Sequence, residues 1–281
     1  MNAPVLVGVD GSAASLAAVE TAAREAATQH RPLRIVHVCE WPSLQFALGT
    51  SQEDLRVDGE RILGQAAARA DGEAPHAQVG TSIAAGDAAS VLLNEAHGAS
   101  LIVLGHGHNG LAELILGSVA RKVAMHATCP VLVVRGTATL GGEILLGVDG
   151  SPANEPAVRF AFDAASRRRV PLLAVHAWTH PESVAPGDIL LPVHDVMVIE
   201  ENETRVLSEA LAGWQEKYPD VSVGRLLDRA PTRRALIERS ERAQLLVLGR
   251  HGHGFGHLPL GSVTAAMLHH AHCPVVVVPS A

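Results

Sequence analysis

The sequence is poor in aromatic residues and cysteine, contains no long apolar run, and carries no excess of positive charge. Aromatic side chains make up only 3% of its 281 residues, so any core must be built from small aliphatic groups. Its 26 Gly, together with abundant Ala and Val, suit helices packed closely on a sheet. A hydrophobic content of 47% is enough to fill two cores in a chain of this length. The three cysteines, Cys39, Cys129 and Cys273, cannot form an even disulfide framework, and none belongs to a CxxC pair. They read as reduced thiols. No stretch reaches the roughly 18 uncharged apolar residues of a membrane span. The opening MNAPVLVGVD also lacks the basic start and apolar core of a secretion signal, so the cytoplasm is the expected location and no membrane partner is expected. The net charge of −7 leaves no basic footprint for nucleic acid. Two short basic clusters, at 167–169 and 233–234, read as solvated helix ends or faces.

What the chain does contain is a long internal repeat. VLVGVDGS at 5–12 returns as ILLGVDGS at 144–151, LRIVHVCEWP at 33–42 as LLAVHAWTHP at 172–181, and HATCPVLVV at 126–134 as HAHCPVVVV at 270–278. A period of about 140 residues signals duplication of a whole domain, far longer than the 20–50 residues of a solenoid. The two halves meet near 136–143, giving expected domains at 1–138 and 142–281.

Each half alternates short apolar strands with helices. The first half predicts strands at 5–9, 33–39, about 78–83, 101–104 and 130–134, with helices beginning after Ser12, near Glu53, after Asp87 and at Gly117. The second half predicts strands at 144–148, 172–177, about 221–227, 245–248 and 275–278. Its helices are expected from Ser151, over about 195–217, from Thr232 and from Gly261. Strands without period-2 polarity, alternating with helices, indicate a parallel α/β sheet covered on both faces. The Pro-rich segment 179–195 is longer than a usual connection and reads either as a surface insertion or as a flap beside a ligand site.

In such a sheet, ligands bind outside the carboxyl ends of the strands. Asp10 and Asp149 stand there, as acceptors for ribose hydroxyls or an amino group, as metal holders, or simply as turn formers in V-D-G-S. The fourth strand of each half runs into a Gly/His-rich loop and then a Gly-Ser that opens a helix. Gly105, Gly107, Gly110 and Gly117 form the first set, and Gly249, Gly252, Gly254, Gly256 and Gly261 the second. Backbone N–H groups converging in this way make a phosphate cradle. The literal G-x-G-x-x-G at Gly105–Gly110 follows the fourth strand, lacks a later acidic partner and is not repeated, so a dinucleotide fold is not indicated. Neither loop carries the lysine of a P-loop.

The histidines and cysteines near these loops have several readings. The H-x-H pairs His106/His108 and His251/His253 are compatible with metal, with contact to phosphate, or with exposed loop residues. His37 and His176 end matched strands and read as hydrogen-bonded core residues. Cys39 stands at the mouth of the first site, where the second half has Trp178. Trp178 could stack on a base or pack the long loop.

On these residues each half resembles a universal stress protein domain, and the pair resembles the tandem form of that family. The resemblance is carried by VGVDGS, the HV or HA of the second strand, the LIVLG…G…GS block and the closing CPVLVV or CPVVVV. It implies, in each half, a five-stranded parallel sheet ordered 3-2-1-4-5 between helices, of the adenine nucleotide alpha hydrolase-like class. It also implies ATP, with or without Mg, held through a G-x2-G-x9-G-[S/T] motif. Carried over, the first site is Asp10, Val38, Leu104, Gly105, Gly107, Gly117, Ser118 and Val119. The second is Asp149, Ala177, Leu248, Gly249, Gly252, Gly261, Ser262 and Val263. Both loops are one residue short, reading G-x1-G-x9-G-S and G-x2-G-x8-G-S.

The expected function is a regulatory or sensory ATP-binding module of the stress response, acting on a protein partner. Its rivals are a slow Mg-dependent nucleotide phosphohydrolase and a scaffold with empty sites. The apolar strands 131–134 and 275–278 are expected to pair as exposed edges, making a pseudo-dimer within the chain, with a homodimer as a further possibility.

Overall fold

The computed structural model describes residues 3–40, 51–107, 116–139, 141–179, 193–252 and 260–280. The chain forms two compact units, one of residues 1–136 with 274–279 and the other of residues 137–273 with 280–281.

The first unit runs β1 (Val5–Val9), α1 (Ala13–Thr28), β2 (Leu33–Cys39), α2 (Gln52–Glu73) and β3 (Val79–Ala85). It continues with α3 (Ala88–Ala96), β4 (Leu101–Gly105), α4 (Ser118–His126) and β5 (Val131–Val134). All five strands are parallel, in the order β3-β2-β1-β4-β5, as the family resemblance implies. Local chemistry starts the helices where the sequence suggests. Ser12 Oγ accepts from the Ser15 amide at 3.1 Å, and Asp87 Oδ1 from the Ser90 amide at 2.9 Å. α1 lays Ala18, Val19, Ala22, Ala23 and Ala26 on the sheet with no exposure. Small side chains let the layers close, as the composition anticipates.

The second unit runs β6 (Glu143–Gly147), a 3-10 turn at Pro152–Asn154, α5 (Glu155–Arg168), β7 (Leu172–Ala177) and α6 (Val193–Ala210). Then come α7 (Trp214–Lys217), β8 (Val223–Asp228), α8 (Thr232–Ser240), β9 (Ala243–Gly249) and α9 (Ser262–His270). Strands β8-β7-β6-β9 are adjacent and parallel. Two expectations about its helices need correction. The first helix does not rise directly from Ser151, because Pro152 and Asn154 first close the 3-10 turn and Pro156 sits near the start of the α-helix. The single helix expected over 195–217 is two, interrupted where Gly213 adopts φ 73°. That break turns Trp214 onto Phe162, with ring centroids 5.7 Å apart.

The last strand, β10 (Val275–Val278), lies antiparallel beside β5 and belongs by its contacts to the first unit. Val275 pairs with Val133, Val276 with Leu132 and Val277 with Val131, and none of these valines is more than 1% exposed. The two apolar strands expected to pair therefore do so. An unpaired carboxylate at this position would lose several kcal/mol of stability. Val276→Asp should reduce the unfolding free energy by about 3–5 kcal/mol, the scale of an uncompensated buried charge, in urea denaturation. An unchanged midpoint would contradict this placement of β10.

Candidate functional site

The second unit contains a cavity of about 830 Å³ at the carboxyl ends of its strands. β6 delivers Asp149 to it, β7 delivers Ala177, and β9 delivers Leu248 and Gly249. The loop after β9 contributes Gly252, and Gly261, Ser262 and Val263 bring the start of α9 to the same space. All eight residues of the second sequence-derived set thus share one cavity.

The local geometry follows from short connections. Asp149 Oδ1 accepts from the Ser151 amide at 2.7 Å, closing an Asx turn, and Gly150 makes the sharp bend with φ 77°. Asp149 Oδ2 faces the loop, since a Cβ added at Gly252 would lie 3.3 Å from it. The loop is pinned at both ends. The Gly261 amide donates to the Arg250 carbonyl at 2.8 Å, and Thr264 Oγ1 donates to the Gly249 carbonyl at 2.8 Å. Gly261, the N-cap of α9, makes no side-chain capping bond, so the first amides of this helix are left for an anion.

The first unit sets its residues at the matching ends of the matching elements. Asp10 follows β1, Val38 lies in β2, Leu104 and Gly105 end β4, and Gly117, Ser118 and Val119 open α4. The Gly117 amide donates to the His106 carbonyl at 2.7 Å, and a Cβ at Gly117 would stand 3.3 Å from Gly107 Cα. Gly107 itself has φ 130°, which L side chains rarely adopt. At Asp10, partial desolvation raises the carboxyl, but hydrogen bonds outweigh it. The Ser12 amide donates to Oδ1 at 2.9 Å, Ser15 adds a further interaction, and together they hold the group below its usual 3.8.

The histidines divide the two sites. His37 Nδ1 meets the Val9 carbonyl at 2.9 Å, and His176 Nδ1 meets the Val148 carbonyl at 2.7 Å, so both are hydrogen-bonded at strand ends as expected. Their other faces differ. His37 packs against Gly59 of α2, where an added Cβ would lie 3.0 Å from its Cδ2. His176 Nε2 instead meets Glu203 Oε2 of α6 at 2.7 Å, and both residues line the cavity.

Sequence reading did not find Glu203, nor Asn154 and Thr232, which line the same cavity. Asn154 is 3% exposed, and among the described residues its Oδ1 is buried without a partner. Trp178 lines the cavity and is 7% exposed, with the Arg229 guanidinium 5.6 Å from its ring centroid.

Neither Cys39 nor Cys129 offers an activated thiol. Burial, with help from Asp58, pushes the Cys39 thiol up, and burial pushes Cys129 up to about 11. His108, Gly110, His253, Gly254, Gly256, the Trp41-Pro42 loop and residues 180–192 of the long connection lie outside the described residues. Among the described residues, no group of three or more His, Cys, Asp or Glu is placed to hold a metal. No helix among them is long and apolar enough to cross a membrane.

Comparison with known proteins places this geometry. The model of the universal stress protein family matches residues 1–135 and again 142–279. A curated universal stress protein of Mycobacterium tuberculosis is 38% identical, over 97% of this chain and 96% of its own length. One from Mycolicibacterium smegmatis is also 38% identical, over 98% and 96%. Among solved structures, a universal stress protein from Archaeoglobus fulgidus superposes with a TM-score of 0.72 at 17% identity, covering 99% of both chains. That likeness bears on the fold alone.

The Asp10 turn carries a pH signature. Because folding lowers this carboxyl below 3.8, its stabilisation is complete above that value and is lost as pH falls below it, through the lowered folded value. Asp10→Asn should therefore lose less stability than the parent between roughly pH 5 and roughly pH 3, read from urea midpoints. Parallel losses would show that the turn contributes nothing to the acid limb.

Proposed function

The chain belongs to the universal stress protein family, and from that premise we propose that it binds an adenine nucleotide, ATP in the first instance, as a regulatory module of the stress response. One observation carries the reading: a strand-end carboxylate, a glycine loop and an uncapped helix N-terminus converge on one cavity of about 830 Å³ in the second unit. That volume lies within the range of small-molecule and cofactor sites. The phosphates belong beside Gly252 and the uncapped start of α9 at Ser262 and Val263, which line the cavity together. The base belongs against Ala177 and Trp178. Asp149 Oδ2 is left for a ribose hydroxyl or for Mg²⁺ carried in with the phosphates.

Binding suits these residues better than rapid turnover. Neither loop supplies a lysine, so transfer of the terminal phosphate lacks the usual charge stabilisation. A module of this kind passes its state to a protein partner. Homodimerisation through β5 has less support, because β10 already covers that edge.

The two sites should be unequal, with the second tighter. Its cavity is walled by Trp178, where the first site has Cys39, and its loop keeps the Gly-x-x-Gly opening of the family motif. Purified protein, once denatured, should release adenine nucleotide. Asp149→Ala or Gly252→Val should lower occupancy about tenfold or more, since the valine fills the phosphate path beside Asp149. Asp10→Ala or Gly107→Val should cost less. No heat with MgATP in calorimetry would end the nucleotide reading, whereas equal losses from the two pairs would end only the asymmetry.

A further inference from the structure

The cavity of the second unit holds a histidine–glutamate contact where the described residues of the first unit place a histidine on a glycine. Gly11 and Gly150 make the same turn in the two units, and a Cβ at either would strike Ile62 of α2 or Val206 of α6. Ile62 and Val206 therefore correspond, and so do Gly59 and Glu203, three residues earlier in each helix. In the first unit a glycine lets the His37 ring pack on the helix backbone. In the second, a carboxylate occupies that place and lines the cavity, its side chain 30% exposed.

The carboxylate is held in one orientation. The Val148 carbonyl can only accept, which puts the proton of His176 on Nδ1. Nε2 then meets Glu203 Oε2 across 2.7 Å, and the ring is 90% covered. Among the described residues the other oxygen of Glu203 has no partner. Around it the wall is apolar, with Ala177, Val206 and Leu236. The Thr232 hydroxyl is engaged, donating to the Ala177 carbonyl at 3.3 Å. The cavity thus presents, among the described residues, apolar lining with one oriented acceptor whose second oxygen has no partner.

We propose that Glu203 is a specificity-determining residue of the second site, its free carboxylate oxygen accepting a hydrogen bond from the exocyclic 6-amino group of an adenine base, with His176 as its positioning residue. The inference rests on the reading of this cleft as a nucleotide site. A purine with an oxo group at position 6 would set acceptor against acceptor in a partly desolvated wall, and such mismatches are rejected strongly. In the first unit the corresponding place is held by Gly59, which offers no side-chain acceptor.

ATP and ITP differ at position 6, amino against oxo, and at the adjacent N1, which carries hydrogen only in ITP, so the pair tests the hydrogen-bonding edge that faces Glu203. Calorimetry on the full chain carrying Gly107→Val, which obstructs the first cleft, should show ATP binding roughly tenfold or more tighter than ITP. Glu203→Gln places an amide N–H₂ where the free oxygen was and should flatten or invert that preference. Glu203→Ala should abolish it without inversion, and thermal melts of both variants establish that they fold. Equal affinity for ATP and ITP in the parent, or a preference that survives both substitutions, would overturn the role of Glu203 while leaving nucleotide binding intact. Absence of heat with either nucleotide would overturn the binding reading and this inference with it.

Discussion

The site depends on how closely the end of the fourth strand of each half approaches the helix that follows its first strand. A Cβ at Gly105 would fall 2.7 Å from the carbonyl carbon and oxygen of Ala14, and one at Gly249 would lie 3.2 Å from Asn154 Nδ2. No side chain fits at the first position without moving backbone, and little fits at the second. This contact seats the glycine loop over the carboxyl end of the first strand, beside Asp10 or Asp149. Were the helix farther away, carboxylate, loop amides and helix terminus would serve three separate spaces. The scarcity of aromatic and other bulky side chains is the compositional mark of that closeness.

Around this shared frame the two halves diverge in the wall facing the loop. The second unit surrounds its cavity with Trp178, Glu203 and Thr232, the first of these with Arg229 over its ring. In the first unit Cys39 and Gly59 stand where Trp178 and Glu203 do. The anion-binding half of the site uses backbone amides and tolerates little change. The opposite wall uses side chains from the second and third strands and the helix between them, where substitution leaves the sheet intact.

Most of the frame was legible because it is written in local signals. VDGS marks a strand turning sharply into a helix, and Gly-Ser after an apolar strand marks a helix N-terminus. Repetition of both in the same order identified the halves, and the family resemblance carried by those motifs implied the strand order and the two residue sets. What escaped was non-local. His176 and Glu203 are 27 residues apart, on different elements, and nothing in the helix sequence around Glu203 separates it from the exposed acids Glu200 and Glu201 beside it. Asn154 falls inside the helix that the sequence predicts from Ser151, because Pro152 is as compatible with the first turn of an α-helix as with the 3-10 start found there. The break at Gly213 was hidden by helix formers on both sides. Its evidence is tertiary, in the stacking of Trp214 on Phe162 and Tyr218.

The His176–Glu203 pair also shows which of its possible reasons for existing survives an energetic comparison. Ion pairs withdrawn from water gain little net stability, because desolvation cancels most of the attraction, and well-packed apolar groups often do as well or better. The first unit demonstrates the simpler solution in the same fold: His37 keeps its bond to the strand carbonyl and rests on Gly59, with no carboxylate to desolvate at that place. Stability alone therefore gives no reason to place a carboxylate at the matching position of α6. The pair does fix the direction of a charged acceptor in an apolar wall, which a free glutamate on a helix surface could not do at comparable entropic cost. A preorganised acceptor matters to a ligand and not to the fold, and it points into the cavity where Asp149 and the α9 terminus already converge.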